Sequence, residues 1–88
     1  MKPITFTRHA LQQMVARGAD QGEVEQAVRL GERVEARRGR WAFSRDFAYG
    51  REREGEWYDI KQVMPIVAEE RDEMVVVTVY VFYMGART

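Results

Sequence analysis

The sequence predicts an α+β fold: a helical hairpin packed on a twisted, mainly antiparallel sheet of four to five strands. Three observations carry the prediction. Two short stretches near the N-terminus place apolar residues at helical spacing between capping residues. From Val34 onward the apolar period drops to two. The chain then closes on MVVVTVYVFYM, Met74 to Met84, an apolar run of strand length.

Each element follows in order. Ile4 to Phe6 supplies a short first strand. Thr7 is the N-cap of the first helix, in which Leu11, Met14 and Val15 form the apolar stripe. Arg17 complements the helix dipole in the last turn, and Gly18 offers a left-handed stop. Asp20, with Glu23 three residues later, opens a second helix as a capping box. Val24, Ala27 and Val28 are its apolar stripe, and Gly31 ends it. Val34 and Ala36 then alternate with charged residues, Arg38-Gly39 offers a turn, and Trp41 and Phe43 resume the alternation as the second arm of a hairpin. The polar stretch Ala48 to Glu56, with two glycines, reads as a loop. Trp57 to Ala68 reads as a bent strand whose Pro65 belongs at an edge or bulge, because proline lacks the ladder N–H. After the polar turn Glu69 to Glu73, the unbroken apolar character of Met74 to Met84 predicts a central strand covered on both faces. The order is β-α-α-β-β-β-β. The 88 residues suit a single domain, residues 1–88.

Composition narrows the function. The chain is 45% hydrophobic and 32% charged, an ordinary globular mix. It has no cysteine, which excludes disulfides, thiolate metal sites and a thiol nucleophile, and which fits a cytoplasmic location. The N-terminus has no apolar signal core, and the longest apolar run is too short to cross a bilayer as a helix. Net charge is zero but uneven: from Arg33 to Arg45 five arginines face one acid, whereas Glu54 to Glu73 holds seven acids and two bases. Such a chain can still present a basic face to an anion. Twelve of the fourteen basic residues are arginine, which favours forked contacts to phosphate or carboxylate.

No glycine-rich phosphate loop is present, and the single histidine precludes a histidine-based metal site, so no cofactor or metal is expected. One histidine, arginines and aromatics remain, the side chains that metal-independent RNA cleavage uses: a proton acceptor, a cation for the phosphorane charge and a proton donor. The candidate catalytic residues are His9, Arg17, Arg40 and Tyr80, and the candidate substrate-binding residues are Arg37, Arg38, Trp41 and Thr78. Each has a plainer role open to it. His9 can fasten the first helix to the sheet, Arg17 can complement the helix end, the hairpin arginines can be solvated, and Trp41, Phe43, Trp57 and Tyr58 can be core or sheet-face residues.

The stretch ITFTRHALQQMVARGADQGEVEQAVRLGE resembles the opening of domain-of-unknown-function family 4258, whose members read hxhoxHAxxRMxxRGIxxxxVxxxhxxG (h apolar, o a small hydroxyl residue). Thr7, His9, Ala10, Met14, Arg17, Gly18, Val24 and Gly31 fall on that pattern, and VVVTVY, Val75 to Tyr80, resembles the family's closing strand. The arginine usual before the methionine is replaced by Gln12-Gln13, and the usual isoleucine after Gly18 is Ala19. The resemblance implies a fold like that of RelE- and ParE-type toxins and barnase-like ribonucleases. On that likeness the expected function is a toxin-like domain that binds or cleaves RNA. The alternative is a non-catalytic interaction module, in which the apolar last strand, too rich for one helical hairpin to cover, packs in a homodimer or against an antitoxin-like partner.

Overall fold

The computed structural model describes residues 1–85. Its elements are strand β1 (Ile4–Phe6), helices α1 (Arg8–Arg17) and α2 (Gln21–Leu30), and strands β2 (Glu32–Glu35), β3 (Trp41–Arg53), β4 (Glu56–Glu69) and β5 (Met74–Met84). The strands form one five-stranded sheet in the order β1-β5-β4-β3-β2. The pairings of β5 with β4, β4 with β3 and β3 with β2 are antiparallel, and β1 runs parallel to β5.

The caps act as the sequence requires. Thr7 Oγ1 accepts from the Ala10 N–H, and Asp20 and Glu23 form a reciprocal capping box. Gly18 takes a left-handed φ of 84°, and its N–H donates to the Met14 carbonyl at 2.8 Å. That conformation costs a residue without a Cβ little.

Both helices cover the same face of the sheet. Ala10, Met14, Val24, Val28, Phe43, Val63, Val67, Val76 and Val79 make one buried cluster. α1 packs on β5, and α2 on β3 and β4. The expected α1 stripe is corrected: Leu11 is exposed and Val15 is 86% exposed, while Ala10 and Met14 are buried. The helix lies against a strand edge, so its contact stripe is narrow.

Three expectations about the strands also change. Ala48 to Glu56 is not an open loop: β3 continues to Arg53, and a turn at Glu54-Gly55 leads into β4. The backbone pairs through Arg51–Tyr58 and Arg53–Glu56, which a polar sequence permits on a hairpin wetted on both sides. Pro65 is buried in the middle strand, opposite Val79, one residue from the irregularity between Ile66 and Val67. Finally, β5 is covered on one face only. It stands second from the sheet edge, with Val76 and Val79 fully buried and Tyr80, Phe82 and Met84 exposed.

That irregularity sets the face of every later residue of β5. Ile66 pairs with Thr78 and Val67 with Val76, so Val77 has no opposite number. An extra residue inverts the alternation that follows it. Val76 and Val79 both reach the core although three apart, and Thr78, Tyr80 and Phe82 share the face without helices.

Candidate functional site

The candidate site lies where α1, the β2–β3 connection and the open face of β5 converge. β1 ends at Phe6, opposite Val76, so from Val77 onward the outer edge of β5 has no strand beside it. α1 takes that place. The Thr7 N–H donates to the Val76 carbonyl at 3.0 Å, and Thr7 Oγ1 to the Val77 carbonyl at 3.2 Å. At the other end of the helix, Arg17 Nη1 donates to the Val79 carbonyl at 2.8 Å, and the Tyr83 hydroxyl donates to the Arg17 carbonyl at 2.7 Å. α1 thus satisfies edge carbonyls that would otherwise be open to another chain.

Fixing α1 at both ends aims two of its side chains at the open face. His9 Nε2 lies 3.2 Å from Thr78 Oγ1, and His9 itself is exposed. The Arg17 guanidinium carbon stands 5.0 Å from the centroid of the Tyr80 ring, within cation–π range. Gln13 is one helical turn from each. It occupies the position of the arginine usual in the family pattern.

The arginines come from the β2–β3 connection. Arg37–Gly39 forms one 3-10 turn, held by the Ala36 N–H on the Arg40 carbonyl at 2.8 Å. Arg38 (φ 62°) and Gly39 (φ 70°) are both left-handed, which gives the tight reversal. The turn overhangs the sheet. Ala36, Arg37, Arg38, Arg40, Ile66, Thr78 and Tyr80 line a cleft of about 360 Å³. Among the described residues none of the three arginines is ion-paired, so their charge is directed to solvent and to whatever occupies the cleft.

Of the candidate residues, Arg37, Arg38, Arg40, Thr78 and Tyr80 line this cleft, and His9 and Arg17 contact two of its wall residues. Trp41 does not join them. It pairs with Val67 on the helix-covered face, packs on the core, and has the Arg33 guanidinium 4.3 Å from its ring centroid. Ile66, opposite Thr78, and Phe82, whose ring centroid is 6.4 Å from that of Tyr80, were not singled out from sequence. Alternation along β5 places Phe82 with Tyr80, but Ile66 enters only through strand pairing.

Behind the site one buried cation is internally satisfied, whereas Arg45 Nε is buried with no hydrogen-bond partner among the described residues. Lys61 Nζ, in a residue only 6% exposed, contacts both carboxylate oxygens of Glu23, at 2.9 and 2.7 Å, and the Gly18 carbonyl at 2.9 Å. Burial pushes the Tyr83 phenol above its usual pKa, opposed by the cation of Arg53. Among the described residues, no group of three or more His, Asp or Glu could hold a metal ion. A second depression, on the outer side of α1, is lined by Arg8, Leu11, Gln12, Val15 and Ala16.

Fold and cleft together describe an α+β fold with an arginine-lined cleft on its open sheet face. The chain belongs to the family described as Domain of unknown function (DUF4258), which matches residues 6–81. No curated protein and no solved structure matches it. Among the described residues no helix is long and apolar enough to cross a membrane.

Proposed function

We propose that the chain is a toxin-like domain of RelE/ParE type that binds RNA in this cleft and cleaves it without a metal. One observation carries the reading: three arginines with no ion pair among the described residues share a cleft with Thr78 and Tyr80, and the sole histidine contacts its wall. A phosphodiester matches this chemistry. Arginine forks pair with phosphate oxygens, and neutral imidazole accepts a proton near neutral pH.

The reaction balances as a transesterification. His9 takes the proton of the ribose 2′-hydroxyl while Thr78 holds the ring. O2′ attacks phosphorus, and the charge on the pentacoordinate phosphorus is met by Arg40 and Arg17. The P–O5′ bond breaks with its electron pair on O5′, and the Tyr80 hydroxyl supplies the proton. The products are a 2′,3′-cyclic phosphate and a 5′-hydroxyl. Solvent reprotonates Tyr80 and deprotonates His9. The setting is cytoplasmic.

The test is incubation of the purified protein with 5′-labelled RNA, beside expression in a bacterial host. Wild type should give cyclic-phosphate ends and slow growth. His9→Ala should abolish both with a melting temperature within about 2 °C of wild type, since an exposed side chain contributes little to stability. Unchanged cleavage in His9→Ala, or no RNA binding by wild type, overturns the reading.

A second reading has its own observation. Tyr80, Phe82, Met84 and Val34 leave the open sheet face partly apolar, as a surface for an antitoxin-like protein or a second copy would be. In that case light scattering gives a dimer or a stoichiometric complex, and the cleft variants retain it.

A further inference from the structure

The RNA reading leaves Phe82 unused. It is 44% exposed, carries no polar atom, and stands on the open face beyond the cleft. Its neighbours form a row along β5. The Arg17 guanidinium lies 5.0 Å from the Tyr80 ring, and that ring lies 6.4 Å from Phe82, with planes 18° apart. Arg17 covers Tyr80 from the α1 side, so Phe82 is the ring at the open end of the row.

The row begins at a cationic cleft. Tyr80, 40% exposed, belongs to both: it lines the cleft with Arg37, Arg38 and Arg40, and it neighbours Phe82 two residues on. Anion-pairing groups at one end and nearly parallel aromatic rings beside them ask for a ligand of matching form. It must carry a negative charge next to a planar face. A strand of unpaired nucleotides has this form, because each phosphate is one sugar away from a base whose faces are free. A duplex does not, since its bases are covered by their neighbours. Every base has a π-face, so such stacking tolerates sequence.

We propose that Phe82, with Tyr80, is a base-stacking platform adjoining the arginine cleft, and that the ligand is therefore single-stranded nucleic acid rather than duplex. This rests on the cleft being a phosphodiester site. The phosphate sits among Arg37, Arg38 and Arg40, and the neighbouring base lies on Phe82. The role belongs to the ring, not to its apolar area, so the aromatic variant Phe82→Tyr keeps it and Phe82→Leu loses it.

The experiment is fluorescence anisotropy with short labelled 2′-O-methyl oligonucleotides, which bind without being cut. Three probes of equal length are compared: a single strand, the same strand with abasic sites, and a hairpin duplex. The single strand should bind about tenfold or more tighter than the abasic strand or the duplex, the range expected for loss of one stacked base. Phe82→Ala and Phe82→Leu should remove that preference, Phe82→Tyr should retain it, and circular dichroism should show the fold unchanged in all three. Arg40→Gln should weaken all probes alike. Equal binding of the three probes, or indifference to Phe82→Leu, overturns the platform while leaving the phosphate cleft standing. If no probe binds, or if polyglutamate competes as well as the single strand does, the cleft reading falls and the platform with it.

Discussion

Replacing Lys61 with methionine should be among the most damaging single changes in this protein. The side chain would keep its length and most of its packing, but Glu23 would lose its cation and the Gly18 carbonyl its donor. Removing one partner of a buried ion pair costs about 3–5 kcal/mol. Glu23 retains some contact with water and still accepts from the Asp20 N–H at 3.0 Å, which lowers the expectation to about 2–4 kcal/mol. A domain of this size has in total only about 4–13 kcal/mol of stability. At roughly 2.1 cal/mol/K of unfolding entropy per residue, that loss lowers the melting temperature by about 10–20 °C. Calorimetry at neutral pH reads it directly. The double change Lys61→Met with Glu23→Leu should recover part of the loss, because no uncompensated charge remains. A fall of less than about 3 °C in Lys61→Met would refute the reasoning and place the pair effectively in water.

Other predictions follow from neighbouring contacts. The Tyr83 phenol is raised by burial, so its contribution to stability is intact below pH 10 and is lost as pH rises through its folded value; Tyr83→Phe should flatten that alkaline limb in urea titrations. At neutral pH the same variant should cost about 1 kcal/mol, for the bond to the Arg17 carbonyl. Gly31→Ala should destabilise by more than the gain in helix propensity, because a Cβ there would collide with the Ser44 and Ala27 carbonyls; a rise in melting temperature would contradict the packing of α2 on β3. Val15→Glu, on the exposed side of α1, should leave the melting temperature within about 2 °C.

The two helices, their caps and the order of elements could be read from the chain because they are local events. A threonine or aspartate oxygen three residues before an N–H, or a glycine able to turn left-handed, needs no distant partner. The hairpin turn at Arg38-Gly39 is likewise local, and so is the sharing of one strand face by Thr78 and Tyr80. What the chain could not show is which side of a helix or strand would be covered. Met14 and Val15 lie at helical spacing from Leu11, yet α1 lies along a strand edge and buries the Ala10–Met14 side instead. The apolar run of β5 looked fit for burial on both faces, but two short helices cover only one. Trp41 sits one residue from Arg40, and alternation sends it to the opposite face, away from the cleft.

The site depends on the least local of these features. His9, the hairpin arginines and Tyr80 stand out by residue type, since titratable, cationic and phenolic groups carry the relevant chemistry wherever they lie. Their meeting in one place depends on the extra residue Val77, which inverts the alternation of β5, and on β1 stopping at Phe6 so that α1 can take over the edge. The first is a matter of register between the consecutive strands β4 and β5, the second of pairing between β1 and β5, some 70 residues apart in sequence, and both are fixed by core packing as a whole. Residue chemistry is written in the chain, whereas the face it points from is decided only when the sheet is assembled.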